Sequence, residues 1–296
     1  MTGTTIADLG DTIPTIIEEA MFTQQFKAIM RALCWPIKKG KGTNVNVPYF
    51  NEATASQLTE GVDMTADQKM QDTNVQIVPY EVGLKIILSD SVIEDDNEDL
   101  KRAAGVLLGD GFEKKRDTDL LALLDNGTTS LAASANALTM GHIAAARATL
   151  LGNLTSAGGP APTPYACVIH PFHELDLVDI LTPLMPTSAG SIGYMQSPGG
   201  PMEAEVLRNY SIGRLFGIPI ISDGNMAKTA DAAKGGLFST GRRGALIYVS
   251  AREPSIETER DASLRGWELN YVGRYGVGNY LNGWTVELFA DATAPA

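Results

Sequence analysis

Cysteine and histidine are scarce in this sequence, and their scarcity excludes several kinds of site. Among 296 residues, only Cys34 and Cys167 are cysteines, and only three residues are histidines. Two cysteines are too few for a disulfide scaffold or for a cluster of thiolate metal ligands. We therefore expect both thiols to be reduced and partly buried.

Long apolar runs are absent as well. No window holds about 18 or more uninterrupted apolar residues, so the sequence predicts no membrane-spanning helix. The first residues, MTGTTIADLGDTIP, lack the basic start and the continuous apolar stretch of a secretory signal. The sequence therefore predicts a protein that acts in the compartment where it is made.

Positive charge is in short supply, with 23 Lys and Arg residues against 35 Asp and Glu residues and a net charge of −12. Non-specific binding to nucleic acid depends on neutralising phosphates with Lys and Arg. An acidic chain repels that polyanion, although Lys38, Lys39 and Lys41 form a local basic cluster. The charge suits a wall that encloses DNA without binding it tightly, but many acidic enzymes have the same balance.

Recognisable catalytic motifs are also lacking. In HPFHE, His170 and His173 are three residues apart across a proline, and no HExxH pattern or cysteine pair accompanies them. The glycine-rich phrases GKGT (40–43) and GRYGVGNYLNG (273–283) do not match the phosphate-binding patterns, and no GxSxG motif occurs. We predict no catalytic, cofactor-binding or metal-binding residue, and no enzymatic activity.

An extended hairpin is the first distinctive feature that the sequence does contain. After an N-terminal arm (1–42) with one helix, alternating apolar residues at 43–50 and 73–82 predict two strands. The segment between them, 51–72, is polar and long for a loop in a compact domain. The whole hairpin spans 43–84. It is either an arm that lies on a neighbouring subunit or a mobile surface loop.

A long helix follows the hairpin. Apolar residues recur at helical spacing between 97 and 125, Asn97 is a candidate N-cap, and Gly127 is a candidate C-cap. At 1.5 Å per residue the helix would be about 43 Å long. Its charged face, which includes Lys114, Lys115 and Arg116, is expected to be solvated. Segments 85–130 and 251–296 together form the predicted peripheral domain.

Residues 131–250 are predicted to form a separate α/β layer. Helices are expected at 140–151 and 172–181, and strands at 165–170, 215–222, 237–239 and 245–249. A loop rich in Pro, Gly, Ser and Met covers 182–202. In the last forty residues, the strand pattern returns at 255–260, 267–277 and 284–288.

The order of these elements resembles the major capsid proteins of tailed bacteriophages, which share the HK97-like fold. The phrases that carry the resemblance are NVNVPYFNEATASQLTEG, VGLKIILSDSVIED, GRLFGIPIISDGNM and SIETERDASLRGWELNYVGRYGVGNY. They extend over nearly the whole chain. The resemblance implies an α+β capsid fold with an N-terminal arm, an extended β-hairpin loop, a spine helix in the peripheral domain, and an α/β axial domain at 131–250.

The resemblance also implies a function and a set of partners. We expect a structural subunit that forms hexamers and pentamers in an icosahedral shell, is assembled in the bacterial cytoplasm, and encloses double-stranded DNA without cofactors. Only 42 residues precede the hairpin, so a separate scaffolding protein is expected unless the chain is already processed. A portal and decoration proteins are further expected partners.

A specific contact between subunits follows as a hypothesis. The hairpin would cross the spine helix of a neighbour, with acidic side chains of one subunit meeting basic side chains of the other. The candidates are Glu60, Asp63 and Asp67 on the hairpin and Lys114, Lys115 and Arg116 on the helix. Two alternatives remain open at this point, an encapsulin-type compartment with the same fold and a soluble α+β enzyme with an unrecognised site.

Overall fold

The structure is a computed structural model that describes residues 28–50, 53, 55, 57–61, 63, 69, 72–95, 100–153, 159–181 and 213–294. Most of the predicted N-terminal helix, the candidate cap Asn97, the predicted loop 182–202 and Asp67 lie outside these residues. No described helix is long and apolar enough to cross a membrane.

Thirteen strands and five helices occur in the described part of the chain. The strands are β1 (Trp35–Lys38), β2 (Val45–Phe50), β3 (Asp72–Ile77), β4 (Tyr80–Ser89), β5 (Thr129–Leu131), β6 (Tyr165–Ile169), β7 (Arg214–Leu215), β8 (Ile218–Ser222), β9 (Lys228–Thr229), β10 (Ala232–Ser239), β11 (Leu246–Asp261), β12 (Gly266–Asn279) and β13 (Thr285–Asp291). The helices are α1 (Met30–Leu33), α2 (Asp90–Asp95), α3 (Leu100–Leu121), α4 (Met140–Leu151) and α5 (Pro171–Leu181).

The strands form two sheets and a separate hairpin. One sheet has four strands in the order β1-β11-β12-β4. The other has seven strands, in the order β5-β13-β10-β6-β8-β7 with β9 paired to β10. The hairpin consists of β2 and β3, paired antiparallel from Val45 opposite Ile77 to Phe50 opposite Asp72. Long, regular pairing of this kind makes the hairpin a distinct two-stranded arm.

The seven-stranded sheet contains the main core because its central strands are apolar on both faces. Every residue of β6 is buried, as is all but one residue of β10. Helices α4 and α5 supply Ile143, Leu150 and Leu177 to the same core cluster. Continuous apolar strands are typical of a sheet with both faces covered. The described strands and helices of the predicted α/β layer therefore share a buried apolar core.

Helix α3 lies on the four-stranded sheet, and a glycine in β12 makes room for it. A Cβ atom added to Gly273 would lie 2.7 Å from Cζ of Phe112. The Phe112 ring also packs edge-on against Tyr271 and Tyr275, with centroids 5.2 and 5.8 Å away. Glycine thus allows the helix to approach the strand closely enough for aromatic packing.

Several predicted boundaries differ from the structure. The predicted strand 73–82 is divided at Val78 and Pro79 into β3 and β4, since proline cannot donate a ladder hydrogen bond. The predicted strand 215–222 is a hairpin whose turn residues, Phe216 and Gly217, both have positive φ. The segments 245–249 and 255–260 are one strand, β11, with register shifts between them.

The long helix and the C-terminal strand also need correction. Helix α3 spans Leu100–Leu121 and continues as a tighter 3-10 turn, Ala122–Asn126, so its α-helical part is shorter than predicted. The sequence grouped all of 251–296 with the long helix. Strand β13 instead pairs with β10 and β5 in the seven-stranded sheet, because its largely buried residues complete that core.

Candidate inter-subunit surfaces

The base of the β2–β3 hairpin is fixed to the body of the protein by apolar packing. Val47 and Ile77 belong to a buried cluster with Tyr280, whose hydroxyl donates to the Pro48 carbonyl at 3.2 Å. A Cβ atom on Gly276 would lie 2.9 Å from Cγ2 of Ile77. The absence of a side chain there therefore lets the hairpin base lie directly on β12.

The outer part of the hairpin has no comparable packing against the residues that the structure describes. Phe50, at the end of β2, is 60% exposed, and Leu58, in the connecting segment, is 62% exposed. Glu60 and Asp63 are exposed too, and neither forms an ion pair with a described residue. The described residues of the same subunit therefore leave these two large apolar side chains mostly uncovered.

The three basic residues predicted on α3 differ in exposure. Lys114 and Lys115 are both exposed, and the ammonium of Lys115 lies 2.6 Å from Oδ1 of Asp119 one helical turn away. They face solvent, as the sequence predicted. Neither contacts Glu60 or Asp63 of the same chain in the described residues, so any contact with these carboxylates would be made between subunits.

Arg116 was wrongly placed on the solvated face. Its side chain is 3% exposed, its guanidinium lies 5.6 Å from the centroid of the Tyr248 ring, and it hydrogen-bonds Glu113. The physical reason is helical spacing, since Arg116 is four residues from both Phe112 and Leu120 and shares their buried stripe. A long charged side chain can occupy such a position by packing its stem and stacking on an aromatic ring.

Asp119 connects α3 to the start of β4, where the chain leaves the hairpin. Its Oδ2 atom accepts hydrogen bonds from the hydroxyls of Tyr80 and Tyr275, each at 2.8 Å. Burial, followed by these bonds to the carboxylate, raises the pKa of both tyrosines. The base of the hairpin is thus held at a defined position relative to the helix. The sequence offered no signal for this contact, because the three residues are far apart in the chain.

Apolar side chains are exposed where α3 crosses the sheet, which the sequence analysis also missed. Val106 and Leu107 on the helix are 43% and 42% exposed, and Ile256 on β11 is 49% exposed. A Cβ atom on Gly105 would lie 3.8 Å from Cδ1 of Ile256, so this turn of the helix and Ile256 are neighbours. A second apolar surface therefore lies away from the hairpin.

His170 and His173 pack against neighbouring residues of the protein. His173 is fully buried, and its Nε2 atom lies 3.3 Å from the Ala290 carbonyl of β13. His170 packs against the ring of Phe172, with centroids 4.8 Å apart. Burial lowers the pKa of both imidazoles. Among the described residues, no three His, Cys, Asp or Glu side chains come together closely enough to hold a metal ion.

Comparison with known proteins assigns this chain to one class. A family model described as phage capsid protein matches residues 49–286. The match covers most of the chain, and it includes β3, the long helix and most strands of both sheets. The chain therefore belongs to the phage capsid protein family, and it is a structural subunit of a capsid shell. No curated protein matches its sequence.

Solved structures agree with this assignment along the full length of the chain. A structure of Mycobacterium phage Che8 has a TM-score of 0.72 and 19% identity, covering 93% of this chain and 96% of that chain. The capsid of a native GTA particle has a TM-score of 0.70 and 12% identity, covering 99% and 100%. The capsid of Ralstonia phage GP4 has a TM-score of 0.69 and 13% identity, covering 99% and 100%. The predicted HK97-like α+β fold is confirmed.

Proposed function

We propose that this chain forms hexamers and pentamers of an icosahedral capsid and thereby encloses the double-stranded DNA of a tailed phage. The observation that carries the proposal is the contrast within the hairpin. Its base is packed on β12 and Tyr280, whereas its outer part exposes Phe50 and Leu58. An arm of this kind requires a partner surface, because an isolated two-stranded hairpin is only marginally stable in water.

The partner surface in this proposal is the α3 helix of a neighbouring subunit. Glu60, Asp63 and Asp67 would approach Lys114 and Lys115, and Arg116 is omitted because it is buried. An exposed ion pair contributes only about 0–1 kcal/mol. The charges would therefore determine the register of the arm, while Phe50, Leu58 and other apolar contacts would provide most of the affinity.

The domains of the subunit would have different roles in the shell. The hairpin, 43–84, would reach across to the neighbour, and the peripheral segments 85–130 and 251–284 would present α3 to the neighbour's hairpin. The axial domain, 131–250 together with β13, would meet its copies around the centre of each hexamer or pentamer. In a closed shell each contact is repeated by symmetry, so weak individual contacts add up to a stable assembly.

Further partners and the place of assembly belong to the same proposal. A separate scaffolding protein would guide assembly in the bacterial cytoplasm, and a portal and decoration proteins would complete the particle. The subunit itself would have no catalytic role. The net charge of −12 supports a wall that encloses DNA with little direct binding, because the Lys and Arg residues that would neutralise phosphates are outnumbered.

Deletion of residues 54–70 tests the hairpin contact. This deletion removes the connecting segment but keeps both strands of the hairpin base, so we expect a folded subunit that forms few or no closed shells. Sedimentation and negative-stain imaging, with and without a co-expressed scaffolding protein, provide the measurement. Closed shells at normal yield would show that the hairpin segment is dispensable.

Charge reversal tests the register more specifically. Lys114→Glu with Lys115→Glu should lower shell yield, and adding Glu60→Lys with Asp63→Lys should restore part of it. Lys38→Glu with Lys41→Glu is a matched control, since both lysines are exposed and lie away from the proposed contact. If the control lowers yield as much as the α3 reversal, net charge rather than this contact explains the effect.

A further inference from the structure

Two carboxyl groups meet inside the protein where α3 approaches the seven-stranded sheet. Asp117 of α3 and Asp223, which follows β8, are each 1% exposed, and both side chains bind the same residue, Asn225. Asn225 bridges them, since its backbone N–H donates to Oδ1 of Asp223 at 2.9 Å and its amide donates to Oδ2 of Asp117 at 3.1 Å. Two ionised carboxylates buried against one asparagine would repel each other, which favours a proton on one of them.

The hydrogen bonds indicate which group carries the proton. Asp117 accepts from three donors, namely Asn225 and the backbone N–H groups of Ile29 and Met30 at 3.1 and 3.0 Å. Asp223 accepts the N–H of Asn225 at Oδ1, and no hydrogen-bond donor reaches its buried Oδ2 atom from the described residues. Donors stabilise the ionised form of a carboxyl group. The arrangement therefore favours the proton on Asp223.

The surroundings provide no positive charge to hold a second negative one. In the described residues, neither aspartate forms an ion pair with a lysine, arginine or histidine. On α3, the Arg116 guanidinium lies over Tyr248, and Asp119 accepts hydrogen bonds from its two tyrosines. In the N-terminal segment, burial and then the charge of Asp117 raise the pKa of the Cys34 thiol. Lys228 lies over Phe172 and lowers the pKa of His170 in addition to the effect of burial.

We propose that one proton shared by Asp117 and Asp223 joins the long helix to the seven-stranded sheet, and that losing this proton loosens the joint. The two carboxyl groups connect three parts of the chain. The N–H of Asp223 donates to the Ile169 carbonyl of β6 at 3.0 Å, while Asp117 binds the start of α1. Deprotonation would place two buried negative charges in contact, and separating the 223–226 loop from α3 would relieve their repulsion.

The direction of the pH effect follows from proton linkage. Burial, followed by the interaction with Asp117, raises the pKa of Asp223 from 3.8 to about 7. The folded state therefore binds a proton that the unfolded chain releases at lower pH. The stability contributed by this proton is fully present below the unfolded pKa and is lost as the pH rises through the folded value. The relevant window is acidic to neutral pH.

The variant Asp223→Asn tests the joint, because its amide can donate to Asp117 at every pH. The unfolding constant of the full-length wild type, relative to that of D223N, should rise about 10- to 100-fold between pH 5 and pH 8. Denaturant unfolding of unassembled subunits, verified by sedimentation, measures this ratio. Asp110→Asn, an exposed change on the same helix, should leave the ratio to wild type constant. A constant ratio for D223N would overturn the proposal.

Two further measurements use the wild type and therefore test the proposal even if D223N does not fold. The wild type at pH 6 should show the infrared carbonyl band of a protonated carboxylic acid, and the band should disappear by pH 8. Amide hydrogen exchange in 223–226, corrected for its intrinsic pH dependence, should accelerate over the same interval more than exchange in β6. Absence of the band at pH 6 in a folded wild type would refute the shared proton. None of these readouts requires shell assembly, so they are independent of the proposed function.

Discussion

Strand β11 has a buried half and an exposed half. Comparing the two halves distinguishes residues that stabilise the fold from residues that are free to take part in assembly. Its first residues, Leu246–Val249, are buried between β1 and β12, whereas residues 256–260 are exposed and have no strand on their outer side in the described structure. The buried half is apolar, and the exposed half alternates charged residues with Ile256 and Thr258. Burial in the first half stabilises the subunit, while the second half remains a surface that the described residues do not cover.

The largest expected effect distinguishes a core residue from a surface residue of similar character. Phe238 of β10 is fully buried, so Phe238→Ala should lower the free energy of unfolding by about 3–5 kcal/mol. Ile256→Ala should change it by less than about 1 kcal/mol, because the side chain is half exposed. Denaturant unfolding of both variants provides the measurement.

Among variants that remain folded, Ile256→Ala should affect the yield of shells more than it affects the stability of the subunit. We expect Ile256→Ala to lower the yield of shells although it barely affects the isolated subunit. Leu151→Ala, at a side chain that is 47% exposed on α4, is a control of comparable exposure elsewhere in the protein. Equal yields for wild type and Ile256→Ala would indicate that this part of β11 is not a contact surface.

Two glycine substitutions should change the free energy of unfolding by intermediate amounts, one lowering it and the other raising it. Gly273→Ala would bring a methyl group within 2.7 Å of Phe112, so we expect a loss of about 1–3 kcal/mol in the free energy of unfolding. Gly109→Ala, on the open side of α3, meets nothing within 4 Å and should stabilise the helix by about 0.5–1 kcal/mol. Thermal unfolding compares the two. A neutral Gly273→Ala would mean that Phe112 can move aside at little cost.

The smallest effect is expected at an exposed ion pair near the outer end of β11. Arg260 donates to both carboxylate oxygens of Asp90, at 3.1 and 2.8 Å, and its guanidinium lies over the Trp267 ring. A double-mutant cycle with Arg260→Ala and Asp90→Ala should yield a coupling energy of about 0–1 kcal/mol. The coupling should weaken as salt is added. A coupling well above this range would assign the outer end of β11 a real role in subunit stability.

Prediction from sequence worked where short-range patterns decide the structure. The expected helix at 140–151 matches α4, whose Thr139 side chain accepts from the His142 N–H in a capping box. The buried strand expected at 165–170 matches β6 to within one residue. Both elements have uninterrupted local signals, a helical or apolar run bounded by residues that favour its ends.

Prediction from sequence failed where contacts between residues far apart in the chain determine burial or strand pairing. Arg116 looked solvated because it lies in a run of basic residues, yet its helical position directs it to Tyr248, more than a hundred residues away. Strand β13 followed the returning strands in sequence but joined β10 in the other sheet. Neither partner could be identified from local spacing, since hydrogen bonding between strands and the burial of a stripe depend on the assembled fold.

The sequence by itself determined most of the order of the elements, because alternating and helical apolar patterns are properties of the chain. That order carried the resemblance to capsid proteins. Only the tertiary structure decided which surfaces remain open and which charges are enclosed. Val106, Leu107 and Ile256 became a surface, and Asp117 met Asp223, through the way in which α3 lies across one sheet and reaches the other. Such encounters join residues far apart in the chain, so their energies depend on packing that no local pattern records.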